Sequence, residues 1–122
     1  MVCAIFLRLA PIVTANLGRP GVMEKVAEAA RHSEAPSADE LVDCGQSEDF
    51  ARRFIYRLEY LLELRRDGIL KGAGPFADLK DGMYLCNVPS EHEAHRVIRE
   101  DPFYKSGLIE PEYTVRPWLA AL

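Results

Sequence analysis

The chain has little of what several function classes require. Only three of its 122 residues are cysteine, Cys3, Cys44 and Cys86, and none stands in a C-x-x-C pair. That odd, unpaired set argues against a zinc ribbon, a thiol–disulfide motif or a disulfide framework, and points to a reduced, cytoplasmic protein. Positive charge is scarce as well. Fifteen Lys and Arg against nineteen Asp and Glu leave a net charge of −4, so no basic field offsets phosphate repulsion and no nucleic-acid partner is expected. No apolar run approaches the ~20 residues of a membrane helix, so no membrane partner is expected either. The opening MVCAIFLRLAPIVTA lacks a basic n-region, and Arg8 and Pro11 interrupt it, which separates it from a signal peptide. The glycines of Lys71-Gly72-Ala73-Gly74 lack phosphate-loop spacing; they serve instead to bend a strand or to let backbone approach a ligand.

What is present is ordinary globular material. Hydrophobic residues make up 48% and charged residues 28%, far from the disordered range, and a chain of this length carries one core and one domain, 1–122. Val2 to Leu9 is β-branched and apolar and reads as a buried strand ended by Pro11. The stretch 16–46 holds Pro-Gly signals, the polar run HSEAPSADE and one helical pattern, Val22 to Arg31, and reads as a surface insertion with one helix. Ser47 caps a helix that runs to Gly68, with Ala51, Phe54, Ile55, Leu58, Leu61 and Leu62 on its packed face. Arg57, Tyr60 and Leu64 form a second stripe beside that face, where a polar group can look into a cavity at the core's rim.

Ile69 to Gly74 and Met83 to Val88 read as a hairpin with a long loop, and Ser90 with Glu93 as a capping box opening a helix that stops at Asp101-Pro102. Tyr113 to Trp118 alternates as a final strand. Strand, helix, strand, strand, helix, strand is the α+β ferredoxin-like βαββαβ order, with both helices on one face of a four-stranded antiparallel sheet. The other face, with several of Val2, Ala4, Phe6, Leu85 and Val115, is left open, and such a patch predicts a homodimer.

Among chemistry-bearing residues, His92 and His95 point sideways from the Ala94, Val97 and Ile98 face and read as solvated surface, and no metal is expected. His32 lies in a polar loop and reads the same way. Cys86, in an apolar strand, reads as an inert small hydrophobe. Asp101 follows a helix C-terminus, where a negative charge is unfavourable. It either initiates the turn before Pro102 or is a pocket acid paired to a cation such as Arg57.

R-L-E-Y-L-L-E-L-R-R-D-G-I-L-K-G-A-G-P from Arg57 to Pro75, S-E-H-E-A from Ser90, D-P-F-Y-K-S-G-L from Asp101 and V-R-P-W from Val115 together resemble the YCII-related (YciI-like) family. The resemblance implies a dimeric α+β barrel with a helical insertion after the first strand. It also implies relatives such as muconolactone-isomerase-like proteins and a dehydrochlorinase of chlorinated hydroxyquinols, enzymes working without a cofactor. The family's site pairs the Asp of the D-P motif with a His in the pattern H-x-x-Y-L-x-x-L-x-x-x-G. Here that Asp is Asp101, and Arg57 stands in place of the His. An arginine cannot serve as general base, but it can hold a carboxylate or phenolate by paired hydrogen bonds. The resulting expectation is a cofactor-free isomerase or lyase acting on an anionic cyclic or aromatic metabolite. Asp101 and Tyr60 are its catalytic residues, and Arg57 and Tyr104 bind substrate. The rival is a non-catalytic binding or accessory protein that lost the histidine. The insertion reads as a lid or as an extension of the dimer contact.

Overall fold

The computed structural model describes residues 1–121. Its strands are β1 (Val2–Leu9), β2 (Leu70–Pro75), β3 (Asp81–Asn87) and β4 (Ile109–Pro117), joined antiparallel in the order β2-β3-β1-β4. This is the ferredoxin-like order and an α+β fold. Between β1 and β2 run α1 (Pro11–Leu17), α2 (Val22–Arg31), α3 (Ala38–Asp43) and α4 (Glu48–Arg66), and between β3 and β4 run α5 (Glu91–Arg99) and α6 (Pro102–Lys105).

Register decides which side chains meet the helices. Cys3, Ile5 and Leu7 of β1 pair with Cys86, Tyr84 and Gly82 of β3 and with Pro117, Val115 and Tyr113 of β4, and this face packs on α4 and α5. Val115 therefore belongs to the helix-covered face, not to the open one. The final strand begins at Ile109, earlier than expected, with a change of register opposite Leu7 to Leu9; from Tyr113 to Pro117 the pairing is unbroken, and Val115 shares the side of Tyr113. The open face keeps Val2, Ala4, Phe6, Met83 and Leu85, bordered by an Arg8–Asp81 ion pair. A second register shift, at Lys71, lets both Leu70 and Ala73 face the helices. A Cβ at Gly72 or Gly74 would meet no protein atom, whereas one at Gly82 would come within 3.1 Å of the Gly74 carbonyl, so strand pairing requires glycine only at Gly82.

The insertion, 16–46, holds two helices, α2 and α3, where one was expected, a further helix, α1, leads into it, and it is not confined to the surface. Pro11 ends β1 by opening α1 at a position where its missing N–H costs nothing. Val13, Leu17, Val22 and Leu41 are all buried in the cluster that contains Phe54, Ile98 and Phe103. Ser37 and Glu40 form a capping box for α3 across the polar run that had read as loop. The Thr14 hydroxyl donates to the Leu79 carbonyl at 2.6 Å, tying α1 to the β2–β3 loop, where Leu79 has a φ of 62°, a left-handed value uncommon for a leucine.

Candidate functional site

The site grows from a stripe on α4. Phe50, Phe54, Arg57 and Leu61, at spacings of four, three and four, are all buried, so Arg57 lies on the axis of the packed face and not on a stripe beside it. An arginine there needs partners, because an unpaired buried charge is costly. The aromatic rings of Phe50, Phe54 and Phe103 pack on one another with centroids about 6 Å apart, and the Arg57 Cζ sits 4.9 Å from the Phe103 ring and 5.4 Å from that of Tyr84.

Asp101 supplies the counter-charge. Its side chain has no exposure, and its Oδ2 accepts from Arg57 Nε at 3.3 Å although 44 positions separate the two residues. Tyr84, on the helix-facing side of β3, completes the cluster: Arg57 Nη2 donates to the Tyr84 hydroxyl, which donates to Asp101 Oδ2. The other carboxylate oxygen, Oδ1, accepts from the Phe103 backbone N–H at 2.8 Å and makes Asp101 the N-cap of α6. One oxygen serves the turn before Pro102 and the other the pairing with Arg57, but Asp101 itself lines no cavity among the described residues. The dipole objection disappears, since Glu100 closes α5 and Asp101 belongs to the N-terminus of α6. Burial alone would pull the Arg57 pKa down, but Tyr84 and Asp101 outweigh it and raise it, so the guanidinium stays charged. Burial, the largest influence, pushes the Tyr84 phenol well above its ordinary range and keeps its proton in place.

Arg57 uses two of its five N–H donors on these partners, and among the described residues the other three have none. It also lines a cavity of about 70 Å³ whose other walls are Leu17, Met23, Val26, Phe54, Leu58, Leu61, Ala73, Gly74 and Pro75. The walls are apolar and the charge is one guanidinium, a combination that accepts a small planar oxyanion. The insertion supplies Leu17, Met23 and Val26.

Tyr60 and Tyr104 stand elsewhere. The Tyr60 hydroxyl donates to the Val97 carbonyl at 2.7 Å, joining α4 to α5, and burial, helped by Asp101, raises its pKa. Its ring borders a separate groove with Tyr56, Glu59, Glu63, Glu100, Pro102 and Lys105. Tyr104 meets Tyr113 edge-on at 5.8 Å. Tyr113 in turn accepts from Arg99 Nε at 3.0 Å and shares a 2.7 Å hydrogen bond with His95 Nδ1, so His95 is half-buried and engaged, not freely solvated. His32, as expected, is exposed. Cys86 is buried and its thiol is pushed up to about 11 by desolvation, in keeping with an inert side chain. The Ser90 hydroxyl caps Glu93 N, but the Glu93 carboxylate turns to Arg96, so only half of the expected capping box forms.

The missed residue is Tyr84. Its only signal was alternation: in Gly82, Tyr84 and Cys86 it faces the core, where a tyrosine hydroxyl needs a partner.

A model of the YCII-related domain matches residues 55–119. The chain belongs to the YCII-related family. The match contains Arg57, Tyr84 and Asp101 and leaves α1 to α3 outside. YjpA, an uncharacterised protein of Bacillus subtilis (strain 168), is 35% identical over 60 residues, 49% of this chain and 68% of YjpA. Among solved structures, the 5-chloro-2-hydroxyhydroquinone dehydrochlorinase TftG of Burkholderia phenoliruptrix AC1100, in complex with 2,5-dihydroxybenzoquinone, is similar in fold. It superposes with a TM-score of 0.52 at 16% identity, over 98% of this chain and 94% of that one.

Proposed function

We propose that this YCII-related protein is a small-molecule enzyme of isomerase or lyase type that acts without a cofactor on an anionic cyclic or aromatic metabolite. The observation that carries the reading is Arg57, charged, with three N–H donors to spare, in the wall of an otherwise apolar cavity. The fold neighbour's ligand, a dihydroxybenzoquinone, is a planar ring with acidic hydroxyls, a class of group that a guanidinium holds by paired hydrogen bonds. Arg57 holds the developing oxyanion. The proton leaving the substrate passes to solvent water and the electron pair stays on the substrate against Arg57, while Tyr84 and Asp101, which do not line the cavity, hold the guanidinium in place. Tyr60 and Tyr104 position α4 and α6 and do not touch the metabolite.

One observation favours a second reading, a binding protein without turnover. Among the described residues lining the cavity only Arg57 is titratable, and Asp101 is fully enclosed. Incubation with cyclic hydroxyquinols, lactones and keto acids in D2O, followed by NMR, separates the two. Deuterium uptake by the parent above the protein-free rate, reduced in Tyr84→Phe with binding retained, supports the enzyme. Binding without exchange in the parent and in Arg57→His, which restores the family's imidazole, supports the binding protein.

The apolar centre of the open sheet face, Val2, Phe6, Met83 and Leu85, supports assembly as a homodimer at micromolar concentration. Sedimentation equilibrium returning a monomer there rejects it. No helix of the described residues is long and apolar enough to cross a membrane. The free cysteines fit a reduced, cytoplasmic setting, and the shared buried cluster supports 1–122 as one domain.

A further inference from the structure

We propose that α2 is a movable roof over Arg57 and that Met23 and Val26 on it decide the size of the anion admitted. The inference rests on the small-molecule reading of the Arg57 cavity and extends it to specificity. The cavity holds about 70 Å³, less than half of the ~150 Å³ apolar space that accommodates a benzene molecule. With α2 as it stands, the space fits an acetate-sized anion and excludes a ring, so a ring-bearing anion reaches Arg57 only if a wall moves.

Most of the walls are anchored. Phe54, Leu58 and Leu61 belong to the long helix α4, and Ala73, Gly74 and Pro75 are paired with β3. Leu17 sits on α1, which is pinned by its own buried Val13 and Leu17 and by the Thr14–Leu79 hydrogen bond. α2 differs, since among its ten residues only Val22, at its start, is fully buried. Left-handed residues flank it, Gly21 with a φ of 88° and Ser33 with a φ of 56°. Its far end is held by Arg65 of α4, whose Nη2 donates to the Ala30 carbonyl at 2.7 Å. A helix anchored at its two ends, with only half-buried Met23 and Val26 over the cavity, can lift without opening the core.

The test uses acetate, benzoate and 2-naphthoate as probes, titrated calorimetrically into the purified protein, with circular dichroism confirming that each variant is folded. The parent is expected to bind acetate and benzoate and to bind 2-naphthoate at least tenfold more weakly than benzoate. Met23→Ala should improve 2-naphthoate relative to benzoate by tenfold or more, the scale on which apolar pockets discriminate small groups. Val26→Phe should weaken benzoate while leaving acetate unchanged, and Arg57→Gln should abolish all three. If the probes bind in an Arg57-dependent way but their ranking is the same in parent, Met23→Ala and Val26→Phe, the roof is overturned and the Arg57 site stands. If no probe binds to any form, the small-molecule reading fails and takes this inference with it.

Discussion

Two clusters in this molecule use nearly the same parts and reach opposite results. Under α4, Arg57 and Asp101 meet through the Tyr84 hydroxyl with almost no exposure, while on the outer side of α5, Arg99 and His95 meet through the Tyr113 hydroxyl at the protein surface. The chemistry is a guanidinium, a phenol and a titratable partner in both. What differs is water. In the buried cluster each group depends on the other two, because a partner removed leaves an uncompensated charge in low dielectric. In the outer one, solvent replaces whatever is lost. The molecule thus keeps a pre-ordered polar centre where solvent cannot compete, which a binding site for a small anion requires.

The largest separation should come from removing the cations. Arg57→Ala strands Asp101 and should cost about 3–5 kcal/mol in urea unfolding, against less than ~1 kcal/mol for Arg99→Ala. Equal losses at the two positions would mean that Asp101 gains water when Arg57 goes. Next come the phenols: Tyr84→Phe should lose about 1–3 kcal/mol because two buried groups each forfeit a bond, and Tyr113→Phe should stay within about 0.5 kcal/mol.

Alkaline pH sharpens the same contrast. The Tyr84 and Tyr60 phenols hold their protons above the ordinary value near 10, chiefly through burial. Above pH ~10 the unfolded chain therefore binds fewer protons than the folded one, and their contribution to stability, complete below that pH, declines as pH rises. Absorbance titration of the phenols should show two late ionisations, one missing in Tyr84→Phe and the other in Tyr60→Phe. Smallest is a difference among thiols. Iodoacetamide at pH 8 should modify half-buried Cys44 first and leave Cys3 and Cys86 intact in folded protein, read by mass spectrometry.

The strand order and the long helix were legible because their signals are local: β1 and α4 announce themselves by apolar period, Ser47 and Gly68. The Arg57–Asp101 pair was legible as one of two readings of an acid set after a helix C-terminus, and the resemblance then named the same two positions. Tyr84 was not, since a single core-facing tyrosine in a strand carries no motif, and its role depends on register with β2 and proximity to α4. The helices α1 and α3 were hidden for a different reason. They are short, and what stabilises them is burial of Val13, Leu17 and Leu41 against distant residues, which no local period reveals. The face of Val115 was not legible because alternation within Tyr113–Trp118 says which residues share a face but not which face the helices cover, and that is set by its pairing with Ile5.

The most direct measurement is a crystal structure of the protein soaked with benzoate. The expected result is a carboxylate within about 3 Å of the free N–H donors of Arg57, its ring under a displaced α2, with Asp101 and Tyr84 still bound to the guanidinium. Benzoate absent from Arg57 at saturating concentration, with that guanidinium's contacts unchanged, would contradict the anion site and the function built on it.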